Sequence, residues 1–158
     1  MSASIDVKLA EDPDRESSLS PVRARSGAQK LALAGILGQK PAFVLPGEEQ
    51  DDRAADALVP AKILPGWSDA EIKELLTRGL FDEATYGRVR IHHRQAQEYL
   101  AADELLQMVD QGWPKADLEA LLFRNSSGVV VAPAHLQAVA AWCSLRSCDV
   151  KNRALKII

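Results

Sequence analysis

Cysteine is scarce: Cys143 and Cys148 are the only two in 158 residues. No second pair and no neighbouring histidine stands at ligand spacing, whereas a structural zinc site draws on about four ligands. The pair reads as two reduced thiols. Histidine is nearly as sparse, with His92, His93 and His135 alone, and neither H-E-x-x-H nor G-x-S-x-G occurs. That leaves little for metal-assisted hydrolysis or acyl transfer. A G-x-x-x-x-G-K-[ST] phosphate loop is also missing. The nearest string, Gly35-Ile36-Leu37-Gly38-Gln39-Lys40, has the wrong spacing and lacks the hydroxyl that would hold magnesium. The chain therefore reads as non-enzymatic, holding no metal and no cofactor on its own.

Long apolar runs are absent too. None approaches the roughly 20 residues needed to cross a bilayer, and Met1 to Ala10 offers neither a basic n-region nor an apolar h-region. The expected location is the cytoplasm, away from membranes. Charge of one sign is not in excess: 19 basic against 22 acidic side chains give a formal net charge of -3, so nucleic-acid binding would have to rest on a local patch. What is present is 47% hydrophobic residues with only 5% aromatics, the composition of a globular chain. At this length a compact chain buries roughly 68–70% of the surface its unfolded form exposes, enough for one core or two small ones.

Residues 1–19 are polar, with Pro13 and several serines, and read as a mobile lead-in in which Ile5, Val7 and Leu9 could pack. Ser20-Pro21 has the form of an N-cap followed by proline at the first helical position, opening a helix to Gly38. Residues 39–66 hold four prolines and two glycines around a helical candidate at Glu48 to Leu58. Ser68-Asp69-Ala70-Glu71 is a capping box and predicts a helix to Arg78 with Ile72, Leu75 and Leu76 on one face. Tyr86-Gly87 marks a turn, and Val89 and Ile91 alternate with Arg88 and Arg90, predicting a hairpin. A long amphipathic helix follows over Arg94 to Gln111, its stripe Tyr99, Ala102, Leu106 and Val109 widened by Leu100 and Leu105. Further helices are expected at Lys115 to Phe123, about Ala134 to Leu145, and from Asp149, with a strand at Val129 to Val131. The fold class is mainly α: a winged-helix-like domain with a small β-hairpin at 20–93, then a helical domain at 94–158. The apolar ending Leu155, Ile157, Ile158 reads as a helical domain truncated at its C-terminus.

Arg78, Arg88, Arg90 and Arg94 gather with His92 and His93 around the expected wing, opposed by Asp82 and Glu83. Arginines on a wing can contact DNA phosphates, and Lys73 on the capped helix could join Arg88 and Arg90 in doing so. The capped helix, however, offers few base-reading side chains: Lys73, Thr77 and Arg78 against Asp69, Glu71 and Glu74. Nucleic acid is therefore the weaker expectation. Trp67, Trp113 and Trp142 read as core or hinge anchors.

Ile91-His92-His93, followed by Gln97-Glu98-Tyr99-Leu100-Ala101-Ala102, is the most specific string in the chain. It resembles the end of the winged-helix domain and the start of the following helical domain in NACHT-type NTPases of the STAND class. In these a strand ending in an apolar-x-His element precedes a helix carrying Q-E-Y-L-A-A. The resemblance covers about Ser20 to the C-terminus. It implies a regulatory module in which His93, by its spacing to Ala101-Ala102, reaches the β-phosphate of ADP held by a P-loop NTPase domain. ATP exchange would release that latch and permit oligomerisation. The resemblance further implies that ADP or ATP is bound only with the P-loop domain, in cis in relatives and in trans here. Bacterial antiviral or stress signalling is the setting it suggests. Strand parity places His93 with Val89 and Ile91 on the buried face and His92 toward solvent. The alternative function is a stand-alone winged-helix transcription regulator.

Overall fold

The structure, a computed structural model, describes residues 1–10, 19–48, 56–84 and 87–146. The described residues are mainly helical, 59% of them in helix and 15% in strand. Helix α1 (Ser2–Leu9) precedes α2 (Pro21–Leu37), where the Ser20 hydroxyl accepts from the Arg23 backbone amide at 3.3 Å as the expected N-cap. Strands β1 (Ala42–Val44) and β2 (Ala57–Leu58) follow, then a single-turn α3 (Pro60–Ile63) and α4 (Asp69–Leu76). The capping box is complete: the Glu71 amide donates to the Ser68 hydroxyl at 3.3 Å, and the Ser68 amide donates to the Glu71 carboxylate at 2.9 Å.

Strands β3 (Phe81–Ala84) and β4 (Arg88–Ile91) pair antiparallel, as the alternation predicts. Strand β1 inserts on the far side of β4, and β2 adds parallel to β1, so the sheet order is β2-β1-β4-β3. Phe43, Val89, Ile91 and Phe81 share one face of the pleat through the pairs Phe43↔Val89 and Phe81↔Ile91, and all four are buried. Strand β1 went unexpected because three residues between prolines carry no period of their own; register with β4 makes it a strand.

Helix α5 (Arg94–Asp110) occupies the centre. Helix α2 lies along it on one side and α7 (Gln137–Arg146) on another, with α6 (Lys115–Leu122) also in contact. Its apolar stripe is therefore broader than expected: Ala96, Leu100, Ala101, Ala102 and Leu105 are buried, while Tyr99, Leu106 and Val109 are only half-buried. A small hairpin of β5 (Arg124–Ser126) and β6 (Val129–Val131) and a 3-10 turn at Ala134–Leu136 complete the described chain. Trp67, Trp113 and Trp142 pack against the core from its margin.

Three expectations change. Ser2–Leu9 is a helix rather than an irregular lead-in: Ile5 and Leu9, one turn apart, are buried, whereas Val7 between them is exposed. The pattern is helical, and tertiary contacts supply what eight isolated residues lack. Arg78 does not join the wing's basic cluster; it is 8% exposed and donates to the carbonyls of Leu9 and of Leu19 (2.7 Å) and to Glu74 (3.0 Å). The Glu48-to-Leu58 helix falls mostly outside the described residues, and its end, Ala57–Leu58, is β2. The helical stretch expected from Asp149 also lies outside them.

Candidate functional site

Where β4 hands over to α5 the sheet ladder ends: the His92 amide donates to the Leu80 carbonyl at 3.0 Å, and His93 becomes the N-cap of a 17-residue helix. The strand's parity holds through buried Val89, exposed Arg90 and buried Ile91, then fails. His93 is exposed, not on the buried face, because the chain has left the sheet and turns into α5 at this residue. Its side chain does not cap its own helix. It instead lines a cavity of about 190 Å³ with His92, Leu80, Ala96 and, from α1, Ile5 and Lys8.

The electrostatics of this cavity are mixed. The Asp82 carboxylate is paired with Nδ1 of His92, which orients that ring. The two imidazoles stand edge to face with centroids 3.9 Å apart. Partial desolvation, then the nearby His92 and Lys8, hold the His93 pKa below the ordinary imidazole value, while Asp82 works the other way. The ring is thus biased toward its neutral form. An anion arriving here would favour protonation and reverse that bias.

Residues named for DNA contact are placed apart from one another in character. Lys73 on α4 is exposed, Arg90 is exposed, and Arg88 is half-buried. Arg90 stands directly across the β3–β4 ladder from Asp82, and on α4 Glu71 is taken by Arg23 at 2.8 Å. With Arg78 internal, the basic surface around the hairpin is smaller than the sequence promises.

Gln97 through Ala102 occupy the second and third turns of α5. Glu98 is buried and accepts from Arg94 Nε at 2.8 Å, while Leu100, Ala101 and Ala102 are core. Tyr99 packs at right angles on Trp142, centroids 5.4 Å apart, beneath the Arg146 guanidinium. Two groups were not visible as a site in the sequence. Lys8 reaches the His93 cavity only because α1 folds back, and Asp103 on α5 receives Arg25 (2.9 Å), Gln29 (2.6 Å) and Arg146. Asp103 could have been suspected only as a charge inside the apolar run Ala101 to Leu106.

Cys143 is buried against the Ala102 carbonyl at 3.9 Å, and burial pushes its thiol up to about 12, so it is protonated and unreactive at neutral pH. Among the described residues, no group of three or more His, Cys, Asp or Glu is disposed to hold a metal ion. Nor is any helix among them long and apolar enough to cross a membrane. No protein-family model, curated protein or solved structure matches the chain.

Proposed function

We propose that this chain is a non-catalytic regulatory module, of the kind formed by the winged-helix and following helical region of NACHT-type STAND NTPases, and that it couples the ADP or ATP state of a P-loop partner to assembly. The observation that carries the reading is His93, exposed at the head of α5 beside Lys8 and followed by Gln97 to Ala102. An exposed imidazole at that point is open to a second protein, as a latch in trans requires. The element order supports the same reading: apart from the added two-residue β2, the elements α2, β1, α3, α4 and the β3–β4 hairpin, with β4 between β1 and β3, follow one another as in a winged-helix domain. In that correspondence α4 takes the place of the third helix and the hairpin that of the wing.

The chemistry is a charge-assisted hydrogen bond. A neutral His93 that meets a phosphate oxygen takes up a proton and donates it, with Lys8 adding a second positive charge nearby. Because the free ring titrates below its ordinary range and the phosphate-bound ring above the free one, capture strengthens as pH falls through the interval between them.

The test is recovery of proteins on the tagged chain from its native lysate, with and without ADP. The expected result is a P-loop protein, enriched by ADP, whose ADP-dependent share is lost in His93→Ala. Equal recovery by His93→Ala defeats the latch. Duplex-DNA binding with a steep salt dependence, lost when Lys73, Arg88 and Arg90 are replaced by alanine, would favour the DNA regulator instead.

A further inference from the structure

On the opposite side of the first turns of α5 lies a second cleft, of about 320 Å³, between the C-terminal end of α2, the first two turns of α5 and the 3-10 turn. Its size is at the lower end of small-molecule sites. Ile36 and Pro41 supply apolar wall, while Gln97 and His135, both half-buried, supply polar groups. Among the described residues neither of those side chains has a hydrogen-bond partner. Arg94 spends only Nε on Glu98, and its side chain is 79% exposed, so its two terminal nitrogens stand at the rim.

One residue shows that the cleft depends on a close approach. A Cβ on Gly35 would lie 2.6 Å from Gln97 Nε2 and 3.2 Å from the Lys40 carbonyl. Only glycine lets the Gln97 carboxamide lie against α2. A planar carboxamide with donor and acceptor side by side matches the adjacent acceptor and donor on the edge of a purine, the pairing by which glutamine reads adenine. The terminal guanidinium nitrogens of Arg94 form the fork that binds phosphate. Glu98 lines the same cleft but is engaged by Arg94 Nε, which leaves the two terminal nitrogens of that guanidinium for an anion.

We propose that this cleft binds an adenine mononucleotide, with Gln97 on the base edge, Ile36 and Pro41 against the ring, and Arg94 at the phosphate. The site is separate from the His93 cavity and does not rest on the function proposed above.

The experiment is a titration of the full chain with 5′-AMP, read by the NMR signals of the Gln97 side-chain amide and the His135 ring. Saturable shifts of both are expected. Gln97→Leu and Arg94→Ala should each weaken binding about tenfold, and adenosine, which lacks the phosphate, should bind about tenfold more weakly than AMP. Gly35→Ala pushes the flexible end of Gln97 aside and presses on the Lys40 carbonyl, so it should lose binding while its thermal melt stays a single cooperative transition. His93→Ala should bind AMP as the wild type does. The proposal is overturned if AMP saturates neither signal below about 1 mM, or if Gln97→Leu and Arg94→Ala both bind it normally. It is equally overturned if benzoate, an aromatic anion without a base edge, shifts the same signals while AMP does not, or if His93→Ala abolishes AMP binding.

Discussion

Asp103 and Glu104 are neighbours on α5 with the same 9% exposure, yet they titrate in opposite directions. For both, burial is the first cause and pushes the carboxyl upward. At Asp103 it is outweighed by the hydrogen bonds and charges of Arg146 and Arg25 and by Gln29, and the pKa falls below the ordinary range. At Glu104 only Lys30 opposes burial, Asp103 reinforces it, and the pKa rises. The linkage signs differ accordingly. Asp103 contributes stability above its unfolded pKa and loses it as pH falls through the folded one. Glu104 binds its proton more tightly when folded, so its contribution is present at low pH and disappears as pH rises through the folded value. Glu104→Gln should therefore stabilise the chain at pH 7 by about 0.5–1 kcal/mol, the common size of a stabilising replacement, read as a higher urea midpoint. At pH 3, where both side chains are neutral, the midpoints should coincide; an unchanged midpoint at pH 7 would contradict this account. None of it was legible in Ala101-Ala102-Asp103-Glu104, because the partners of Asp103 lie 78, 74 and 43 residues away in the chain.

At the scale of elements, what the sequence announced were features closed within a few residues. The Ser68–Glu71 box, the Ser20-Pro21 start and the alternation at Arg88–Ile91 each carry their own partners, and each element formed where they stand. Helix α1 and strand β1 went unseen because their reasons lie elsewhere in the chain. Helix α1 depends on Arg78 at the Leu9 carbonyl and on Arg25 paired with Asp6, and β1 depends on β4. The exposure of His93 was missed for a related reason: parity is a property of a strand, and the strand had ended. Contact between elements also explains Gly27 on α2, where a Cβ would come within 2.6 Å of Trp67 Cη2 and 2.8 Å of Leu75 Cδ2. Trp67 cannot yield easily, since the Arg23 guanidinium lies 4.6 Å from its ring while also donating to the Gly66 carbonyl at 3.1 Å. Gly27→Ala gains about 1 kcal/mol in helix propensity but meets overpacking of about 1–3 kcal/mol. The expected net effect is a loss of about 1 kcal/mol, read as a lower melting temperature. A more stable Gly27→Ala chain would mean that Trp67 moves freely.

At the scale of the whole molecule, the sequence divides the chain at 93/94, whereas the buried apolar residues form one cluster that runs from Ile5 to Cys143 across that point. The polar contacts cross it as well. Asp6 holds Arg25 on α2, Arg25 and Gln29 hold Asp103 on α5, and Asp103 holds Arg146 on α7, so Asp103 ties three helices and Asp6 adds α1 through the shared Arg25. Removing Asp103 leaves Arg25 with Asp6 alone and takes from Arg146 the carboxylate it donates to. Arg25, at 22% side-chain exposure, recovers little hydration but keeps Asp6, whereas Arg146, at 42%, loses its carboxylate and recovers more, so the cost is shared between the α2 and α7 sides. Breaking a largely buried pair by deleting one partner costs about 3–5 kcal/mol; with Arg146 partly solvated, Asp103→Ala should lose about 3 kcal/mol. If the cluster is a single cooperative core, the loss is felt everywhere at once. Chains retaining only Trp67, beside α4, or only Trp142, on α7, should then report the same denaturant midpoint, and Asp103→Ala should shift both equally. Midpoints that separate, with Trp142 shifting alone, would show instead that the two regions unfold as independent units and that the boundary drawn from the sequence is a thermodynamic one.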